Sequence, residues 1–320
     1  MSGLFATIRS RAAEVSRDAR FVRIDGKALA RLAKSLAEDP PPPPAWDVAT
    51  HHRGTPRSTL AYVITLNAIN FGSGWFPKLR KRDGRSGYFT VAMGLKDRFD
   101  AEGPWSAREL AELSPFDLSR VLGQDLADPE VVELLALFAA ALNDLGEFLA
   151  RRHGGSFANL VDGADRSAER LVRELAEMAL FRDVSVYADL EVPFYKRAQI
   201  TAADLSLAFD GESYGRFDDL AELTAFADNL VPHVLRMEGV LHYRQRLGER
   251  IDAGALLEHG SPEEVEIRAA GVHAVEQIVA AIRARGGAAT AQAIDYTLWH
   301  RGQRPEMKAH PRHRARCPYY

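Results

Sequence analysis

Five consecutive prolines, Pro40 to Pro44, place the firmest limit on how this chain can fold. Proline has no backbone N–H and a fixed φ, so neither a helix nor a central strand can run through such a segment. The helical pattern of residues 25–38 must therefore end before it. We predict a stiff polyproline II spacer that sets the direction in which the chain reaches Trp46. A proline-rich ligand for a signalling domain is the alternative interpretation.

Length and composition indicate an ordinary globular protein. The 320 residues are 46% hydrophobic, which is enough for a substantial core in one or two domains. We predict N-terminal helices and the proline linker over residues 1–45 and the main domain over 46–320, with one compact unit overall. The net charge of −3 lacks the basic excess of proteins that grip duplex DNA, so no stable nucleic-acid complex is expected.

Cysteine content and hydropathy indicate in which compartment of the cell the protein is found. The single cysteine, Cys317, can form neither an intrachain disulfide nor a cysteine-based zinc site. This favours a reducing cytoplasm. No apolar run approaches the roughly 18 residues of a membrane span, so we expect no membrane partner.

Hydrophobic periodicity predicts a mainly α-helical chain. Helices are expected over residues 3–20, 25–38, 129–152 and 164–181. Ser106 and Ser114 each look like the start of a further helix. Tyr88-Phe-Thr-Val91 has the composition of a strand, so we expect a small β-hairpin near residues 79–92.

The usual catalytic motifs are absent from the sequence. It contains no P-loop, no Gly-x-Gly-x-x-Gly turn, no Gly-x-Ser-x-Gly elbow and no His-Glu-x-x-His helix. The sequence therefore does not favour an enzyme that acts on nucleoside triphosphates, one that uses a dinucleotide cofactor, or a hydrolase with a Ser-His-Asp triad. Carboxylate chemistry without a metal or other cofactor is what remains.

Asp228 is the most informative carboxylate. On a helical wheel it projects from the edge of an apolar arc formed by Leu223, Leu230, Val231, Val234 and Leu235. Pro232 cannot donate to the Asp228 carbonyl, so a continuous helix would kink there. Two interpretations stay open. Asp228 or Asn229 caps a helix that has proline in its first turn, or Asp228 is a half-buried functional carboxylate.

A second group of candidates lies earlier in the chain. His51 and His52 are adjacent, and one of them is a candidate for facing a substrate, although a shared metal is not expected. Asn70 and Phe71 precede a glycine-punctuated turn and form either the wall of a pocket for a planar base or a corner of the core.

Five sequence blocks in this order resemble the queuosine salvage family, the queuosine 5′-phosphate N-glycosylase/hydrolases. The likeness runs from about Trp46 to the last residue. The blocks are Phe194-Tyr-Lys-Arg-Ala-Gln-Ile200, Phe226-Ala-Asp228, Glu264-Val-Glu-Ile-Arg268, Asp295-Tyr-Thr-Leu-Trp299 and His313-Arg-Ala-Arg-Cys-Pro-Tyr-Tyr320.

The resemblance implies an all-α fold related to the helix-hairpin-helix DNA glycosylases. The hairpin would lie at Gln199-Ile-Thr-Ala202, with Thr201 capping the second helix. This segment has none of the glycines whose N–H groups hold a DNA phosphate. The terminal block is expected to dock on the body of the protein.

The resemblance also implies hydrolysis of queuosine 5′-phosphate to queuine and ribose 5-phosphate, with queuine going to tRNA modification. Asp228 would be the catalytic carboxylate. Lys196 would bind the 5′-phosphate, and Asp295 would form a hydrogen bond with the heterocycle. The aromatic residues expected around the base are Phe226, Tyr296 and Trp299. His300 stands where many members have an aspartate, which puts one base contact in doubt.

Three further possibilities stay open at this stage. Glu264 and Glu266 point in different directions on a helix, so at most one faces a pocket, and Glu266 with Arg268 could be a buried pair. A glycosylase with another base preference would use the same chemistry. A non-catalytic helical adaptor that holds a nucleobase or a protein partner would not need Asp228.

Overall fold

The computed structural model describes residues 3–40 and 42–320. It confirms a mainly helical fold with short antiparallel strand pairs. In chain order the elements are α1 Leu4–Asp18, β1 Val22–Ile24, α2 Gly26–Glu38, α3 Pro56–Ala68, α4 Gly87–Glu102, α5 Ala107–Glu112, α6 Pro115–Leu122, α7 Pro129–His153, α8 Phe157–Gly163, α9 Ala168–Leu175, β2 Val184–Tyr187, β3 Leu190–Pro193, α10 Lys196–Ala208, α11 Leu230–Met237, β4 Leu241–Tyr243, α12 Gln245–Asp252, α13 Pro262–Arg283, α14 Ala291–Gly302 and α15 Pro305–Lys308.

The chain divides into two compact units. The first unit contains the described residues up to Pro44, Asp183–Lys196 and Ala221–Arg316. The second contains Ala45–Arg182, Arg197–Leu220 and Cys317–Tyr320. The domain division at residue 45 stays a prediction. Pro41 lies outside the described residues, and with it part of the predicted polyproline spacer.

Helix α13 is the centre of the first unit. It packs against α1, α2, α11 and α14, and residues on all of its faces are buried. Gly271 allows α11 to come close, since a Cβ at this position would lie 2.9 Å from Pro232 Cγ. The two strand pairs of this unit are β1 with β4 and the hairpin of β2 with β3. Together these elements fix the start of α11, where Asp228 lies.

The second unit is built on the long helix α7. This helix packs against α3, α5, α6 and α8, and buries Phe138, Leu142 and Leu145. Ser106 and Ser114 form complete capping boxes at α5 and α6, as their sequence patterns predict. The carbonyl of Tyr320 accepts hydrogen bonds from the N–H groups of Gly72 and Ser73 at 3.1 and 3.3 Å, so the terminal segment docks on the body.

Some local predictions are wrong. Tyr88-Phe-Thr-Val91 lies in the first turns of α4, so there is no hairpin at residues 79–92; the hairpin of this fold is β2–β3. Thr201 lies inside the continuous helix α10 and donates to the Arg197 carbonyl, so residues 199–202 do not form a turn. The helix expected over 164–181 is limited to α9 and a short 3₁₀ turn at Ala179–Phe181. The likeness to helix-hairpin-helix glycosylases stays a prediction.

No helix within residues 3–40 and 42–320 combines the length and the apolar character needed to cross a membrane.

Candidate active site

Asp228 caps helix α11 with its side chain. Its Oδ1 accepts hydrogen bonds from the N–H groups of Leu230 and Val231 at 2.9 and 3.0 Å. Pro232 lies in the first turn of this helix, where its missing N–H costs nothing. The helix begins only at Leu230, so the helical wheel drawn from Leu223 is wrong. The capping interpretation is confirmed, yet it does not exclude the functional one, since Asp228 is buried with 8% of its surface exposed.

Asp295 is a second buried carboxylate, and it binds the same loop. It lies on α14 with 4% of its surface exposed. Its Oδ2 accepts a hydrogen bond of 2.9 Å from the N–H of Phe226. The Asp228 N–H in turn donates to the Phe226 carbonyl at 2.6 Å. The tight turn of residues 226–228 therefore carries one carboxylate and receives the other.

Lys196 supplies positive charge to both carboxylates. It is the first residue of α10 and only 6% exposed, and its N–H donates to Asp183 Oδ2 at 3.2 Å. The charge of Lys196 acts to lower the pKa of both Asp228 and Asp295. The role of Lys196 in binding a phosphate stays a prediction.

The two carboxylates differ in how well their charges are compensated. Burial raises the pKa of Asp228, opposed by Lys196, by the N–H groups of Val231 and Leu230, and by Arg312. Burial and the charge of Asp228 raise the pKa of Asp295 well above its usual range, and only one backbone N–H and Lys196 oppose them. Because Asp228 has more groups that favour its ion, its pKa is raised less than that of Asp295.

A buried ion pair holds the loop from the other side. Arg268 on α13 donates to both Asp183 oxygens at 3.0 and 2.6 Å and to the Ala227 carbonyl at 3.0 Å. Its guanidinium also lies over the Phe194 ring, 4.0 Å from the centroid. Because Ala227 precedes Asp228, Arg268 fixes the backbone that carries the catalytic candidate.

The possible pair of Glu266 with Arg268 does not form. The Glu266 carboxylate instead accepts from the N–H groups of Arg20, Phe21 and Val22 and from the Tyr187 hydroxyl, at 2.6 to 3.0 Å. Glu264 is the acid of this block that approaches Arg268, at 3.7 Å. Glu266 thus ties the segment before β1 to α13, and its role is structural.

The aromatic candidates lie on the loop and on α14. Phe226 is 9% exposed and immediately precedes the Ala227–Asp228 step. Tyr296 and Trp299 are half-buried, and their rings lie 4.2 and 5.2 Å from the exposed His300 ring. The structure thus brings Lys196, Phe226, Asp228 and Asp295 together, with the aromatic residues on the helix that carries Asp295.

The remaining candidates lie in the second unit. Both His51 nitrogens have partners, Thr50 and the Asp47 carbonyl at Nδ1 and the Tyr88 hydroxyl at Nε2. His52 bonds Asp100 and Ser58. The contact of either histidine with a substrate stays a prediction.

Asn70 and Phe71 make internal contacts of the second unit. Asn70 donates to Asn67 Oδ1 at 3.0 Å. Phe71 is 1% exposed and packs against Phe138 and the Arg197 guanidinium. These contacts favour the core-corner interpretation, and a role in a base pocket stays a prediction.

Sequence reasoning missed Arg312. Its Nε is buried and has no hydrogen-bond partner among the described residues. Burial lowers the pKa of Arg312, and the charge of Asp228 opposes this effect. The local sequence holds no signal for this placement, because Arg312 reaches Asp228 only through the folded chain.

Throughout residues 3–40 and 42–320, no group of three or more His, Cys, Asp and Glu side chains is placed to hold a metal ion.

Comparison with known proteins gives the same family throughout. The model of the family described as "Queuosine salvage protein" matches residues 50–320. A protein of Sphaerobacter thermophilus named queuosine 5′-phosphate N-glycosylase/hydrolase is 37% identical, over 99% of this chain and 98% of its own length. Proteins of that name from Bos taurus and Mus musculus are 32% and 31% identical, over 100% of both chains and 98% of both chains respectively. The chain therefore belongs to the queuosine salvage protein family.

Proposed function

We propose that this protein hydrolyses the N-glycosidic bond of queuosine 5′-phosphate and releases queuine and ribose 5-phosphate. The observation that carries the proposal is the pair of buried carboxylates, Asp228 and Asp295, which bind one short loop beside the buried cation Lys196. The relatives of the same family whose names state this activity support it. The product would serve the salvage of queuine for tRNA modification.

Asp228 acts on the sugar. Breaking a ribosyl C–N bond builds positive charge at the anomeric carbon and the ring oxygen, and a carboxylate beside them stabilises this oxocarbenium-like state. The ionised form of Asp228 is held by two N–H groups of α11, which leave Oδ2 for the substrate. Water supplies the hydroxyl group of ribose 5-phosphate, and the remaining proton goes to the leaving base.

Asp295 acts on the leaving base. Queuine is a 7-deazaguanine, so it cannot accept a proton at position seven as a purine does. A neutral Asp295, which uses Oδ2 to accept from Phe226, can donate a hydrogen bond from Oδ1 to another acceptor of the ring. This bond strengthens as the ring takes the electron pair of the breaking C–N bond, which assists departure.

The other candidates bind the substrate. Lys196 attracts the 5′-phosphate, since a buried ammonium ion that is already positioned loses little entropy on binding. Phe226 covers one face of the base, with Tyr296 and Trp299 nearby. We propose that His300 contacts the base or its side chain. We further propose a cytoplasmic location and no stable nucleic-acid complex, supported by the single buried cysteine and the net charge of −3.

Release of queuine from queuosine 5′-phosphate tests the proposal, with chromatography as the readout. Asp228→Asn keeps the cap of α11 but removes the charge, so we expect queuine release to fall by about a thousandfold or more. Asp25→Asn is the matched control, because Asp25 caps α2 in the same unit through the Ala28 N–H. The control should retain full activity.

Two results would refute the proposal. Absence of queuine release by the unmodified protein would rule out this substrate and leave another base or the adaptor hypothesis. Equal activity of Asp228→Asn and the unmodified protein would remove Asp228 from the catalytic step.

A further inference from the structure

A cavity of about 690 Å³ lies in the first unit, between the end of α1, the β1–β4 strand pair and α13. Small-molecule pockets have volumes of roughly 300–1,000 Å³, so this one is large enough for an organic ligand. No described aspartate or glutamate lines it, whereas four arginines do: Arg17, Arg20, Arg23 and Arg244. Neither Asp228 nor Asp295 belongs to its lining, so the cavity is distinct from the candidate active site.

Two of the four arginines have no carboxylate partner. Arg20 and Arg244 form no ion pair with a described residue, and the Arg244 guanidinium donates only from Nε, to the Arg20 carbonyl at 2.6 Å. Both side chains are exposed, so water hydrates them in the free protein and a ligand can displace that water. The other two arginines lie 3.6 Å from Asp18 and Asp25, so their charges are partly compensated.

The backbone of the cavity wall is fixed by contacts within the chain. The N–H groups of residues 20–22 donate to the Glu266 carboxylate, which does not line the cavity. The Arg244 N–H donates to the Phe21 carbonyl at 2.8 Å, just beyond the β1–β4 pairing. Arg20 and Arg244 are therefore held close together, and a ligand has to order only their side chains, which lowers the entropic cost of binding.

The rest of the lining suits an organic ligand. Phe21 and Ile24 are half-buried and offer apolar surface. On α13, Gln277 Nε2 lies 2.8 Å from His273 Nε2, and His273 Nδ1 forms no hydrogen bond with a described residue. This nitrogen and the Gln277 carbonyl can bond polar groups of a ligand. A molecule that carries both an anionic group and a ring matches this lining.

We propose that this cavity, lined by arginines, binds a phosphate-bearing small molecule about the size of a nucleotide. Guanidinium groups recognise phosphate oxygens through paired N–H donors, and Arg20 and Arg244 offer such donors. A phosphate ester or a diphosphate carries more negative charge than a carboxylate, so the arginines attract it more strongly. The inference does not depend on the activity proposed for Asp228.

The test is calorimetric titration of adenosine 5′-diphosphate and of pyrophosphate, with adenosine as the uncharged reference. Arg20→Gln should weaken binding of adenosine 5′-diphosphate about tenfold, because one charge-assisted contact is lost. Arg246→Gln is the matched control, since Arg246 is exposed on α12 and does not line the cavity. It removes the same charge, and its affinity should stay within about twofold of that of the unmodified protein.

A second variant guards against a folding defect. Arg20→Gln should fold, because only the backbone of Arg20 is anchored by Glu266. If it does not, Arg244→Gln takes its place and should weaken binding to a similar extent. Weaker binding in either variant, with the control unchanged, supports the inference whether or not queuine is released from queuosine 5′-phosphate.

Three results overturn the inference. The first is that neither adenosine 5′-diphosphate nor pyrophosphate binds the unmodified protein. The second is unchanged affinity in both Arg20→Gln and Arg244→Gln, because binding would then lie elsewhere on the molecule. The third is an equal loss in Arg246→Gln, because overall charge would then explain the binding. An RNA oligonucleotide that binds through Arg20 where adenosine 5′-diphosphate does not would assign the surface to nucleic acid instead.

Discussion

Two clusters of buried ionisable side chains lie in the first unit, and they differ in how completely their charges are matched. In one cluster, Arg268 binds both oxygens of Asp183 and approaches Glu264, and all three side chains are almost fully buried. In the other, two carboxylates, Asp228 and Asp295, lie beside each other, so the charge of Asp228 disfavours ionisation of Asp295. Burial is similar in the two clusters, so burial alone does not distinguish a structural carboxylate from a reactive one.

The directions of the pKa shifts express this difference. Burial opposes ionisation of Glu264, but His259, Arg268 and the Gly260 N–H lower its pKa to about 2. Burial raises the pKa of Asp228, and burial with the charge of Asp228 raises that of Asp295 still more. The matched cluster, Arg268 with Asp183 and Glu264, therefore favours ionised carboxylates, whereas the raised pKa values of Asp228 and Asp295 support the roles proposed for them in catalysis.

The largest expected effect is on stability, when the matched cluster loses its cation. Arg268→Met leaves Asp183 and Glu264 buried without their main partner, so the free energy of unfolding should fall by about 3–5 kcal/mol. Urea denaturation measures it. Arg236→Met is the control, because Arg236 forms a comparable two-point pair with the more exposed Asp252 and should cost under about 1 kcal/mol. Equal losses in both variants would contradict the comparison.

The second-largest expected effect is on catalysis by the cluster of Asp228 and Asp295. Asp295→Ala removes the hydrogen-bond donor, so kcat should fall by about a hundredfold to a thousandfold. Asp295→Asn keeps a donor and should lose only about tenfold. It should also lose the alkaline fall of the pH–rate profile, because that fall reports deprotonation of Asp295. Queuine release over a pH series measures both effects, and equal losses in Asn and Ala would show that the carboxyl group itself is required.

The smallest expected effect is on how the free energy of unfolding depends on pH. The pKa of Glu264 in the folded state, about 2, lies below its ordinary value of 4.5. Its contribution is therefore complete above pH 4.5 and is lost as the pH falls through about 2. Glu264→Gln should reduce the loss of stability in this pH range, as measured by urea midpoints. The shifts of Asp228 and Asp295 have the opposite sign, so their removal should not reduce this loss.

Much of the candidate site could be predicted from short sequence blocks. Lys196, Phe226, Asp228 and Asp295 each lie in a sequence block that resembles the family, and the structure places these four residues together. Helix starts at Ser106 and Ser114 were predictable because a capping box lies within four residues.

The structural features that could not be predicted depend on contacts between distant parts of the chain. Tyr88-Phe-Thr-Val91 has strand composition, but packing buries Thr90 and Val91 in a helix, and tertiary contacts override such weak preferences. Three of the partners of Glu266 lie about 245 residues away, and Arg312 and Asp228 are 84 residues apart in the sequence. No local pattern encodes such pairs. Strands β1 and β4 have three residues each, too few to show an alternating pattern.

The anchoring of residues 20–22 by Glu266 has a consequence for synthesis on the ribosome. Helix α1 buries Phe5, Ile8 and Val15, largely against α13, which is made more than 240 residues later. At typical translation rates, α1 waits roughly ten seconds to a minute for this partner. During that time its apolar side is open to chaperones and to other nascent chains. Yield in cells should therefore depend on translation speed and chaperone supply more than the stability of the finished protein would indicate.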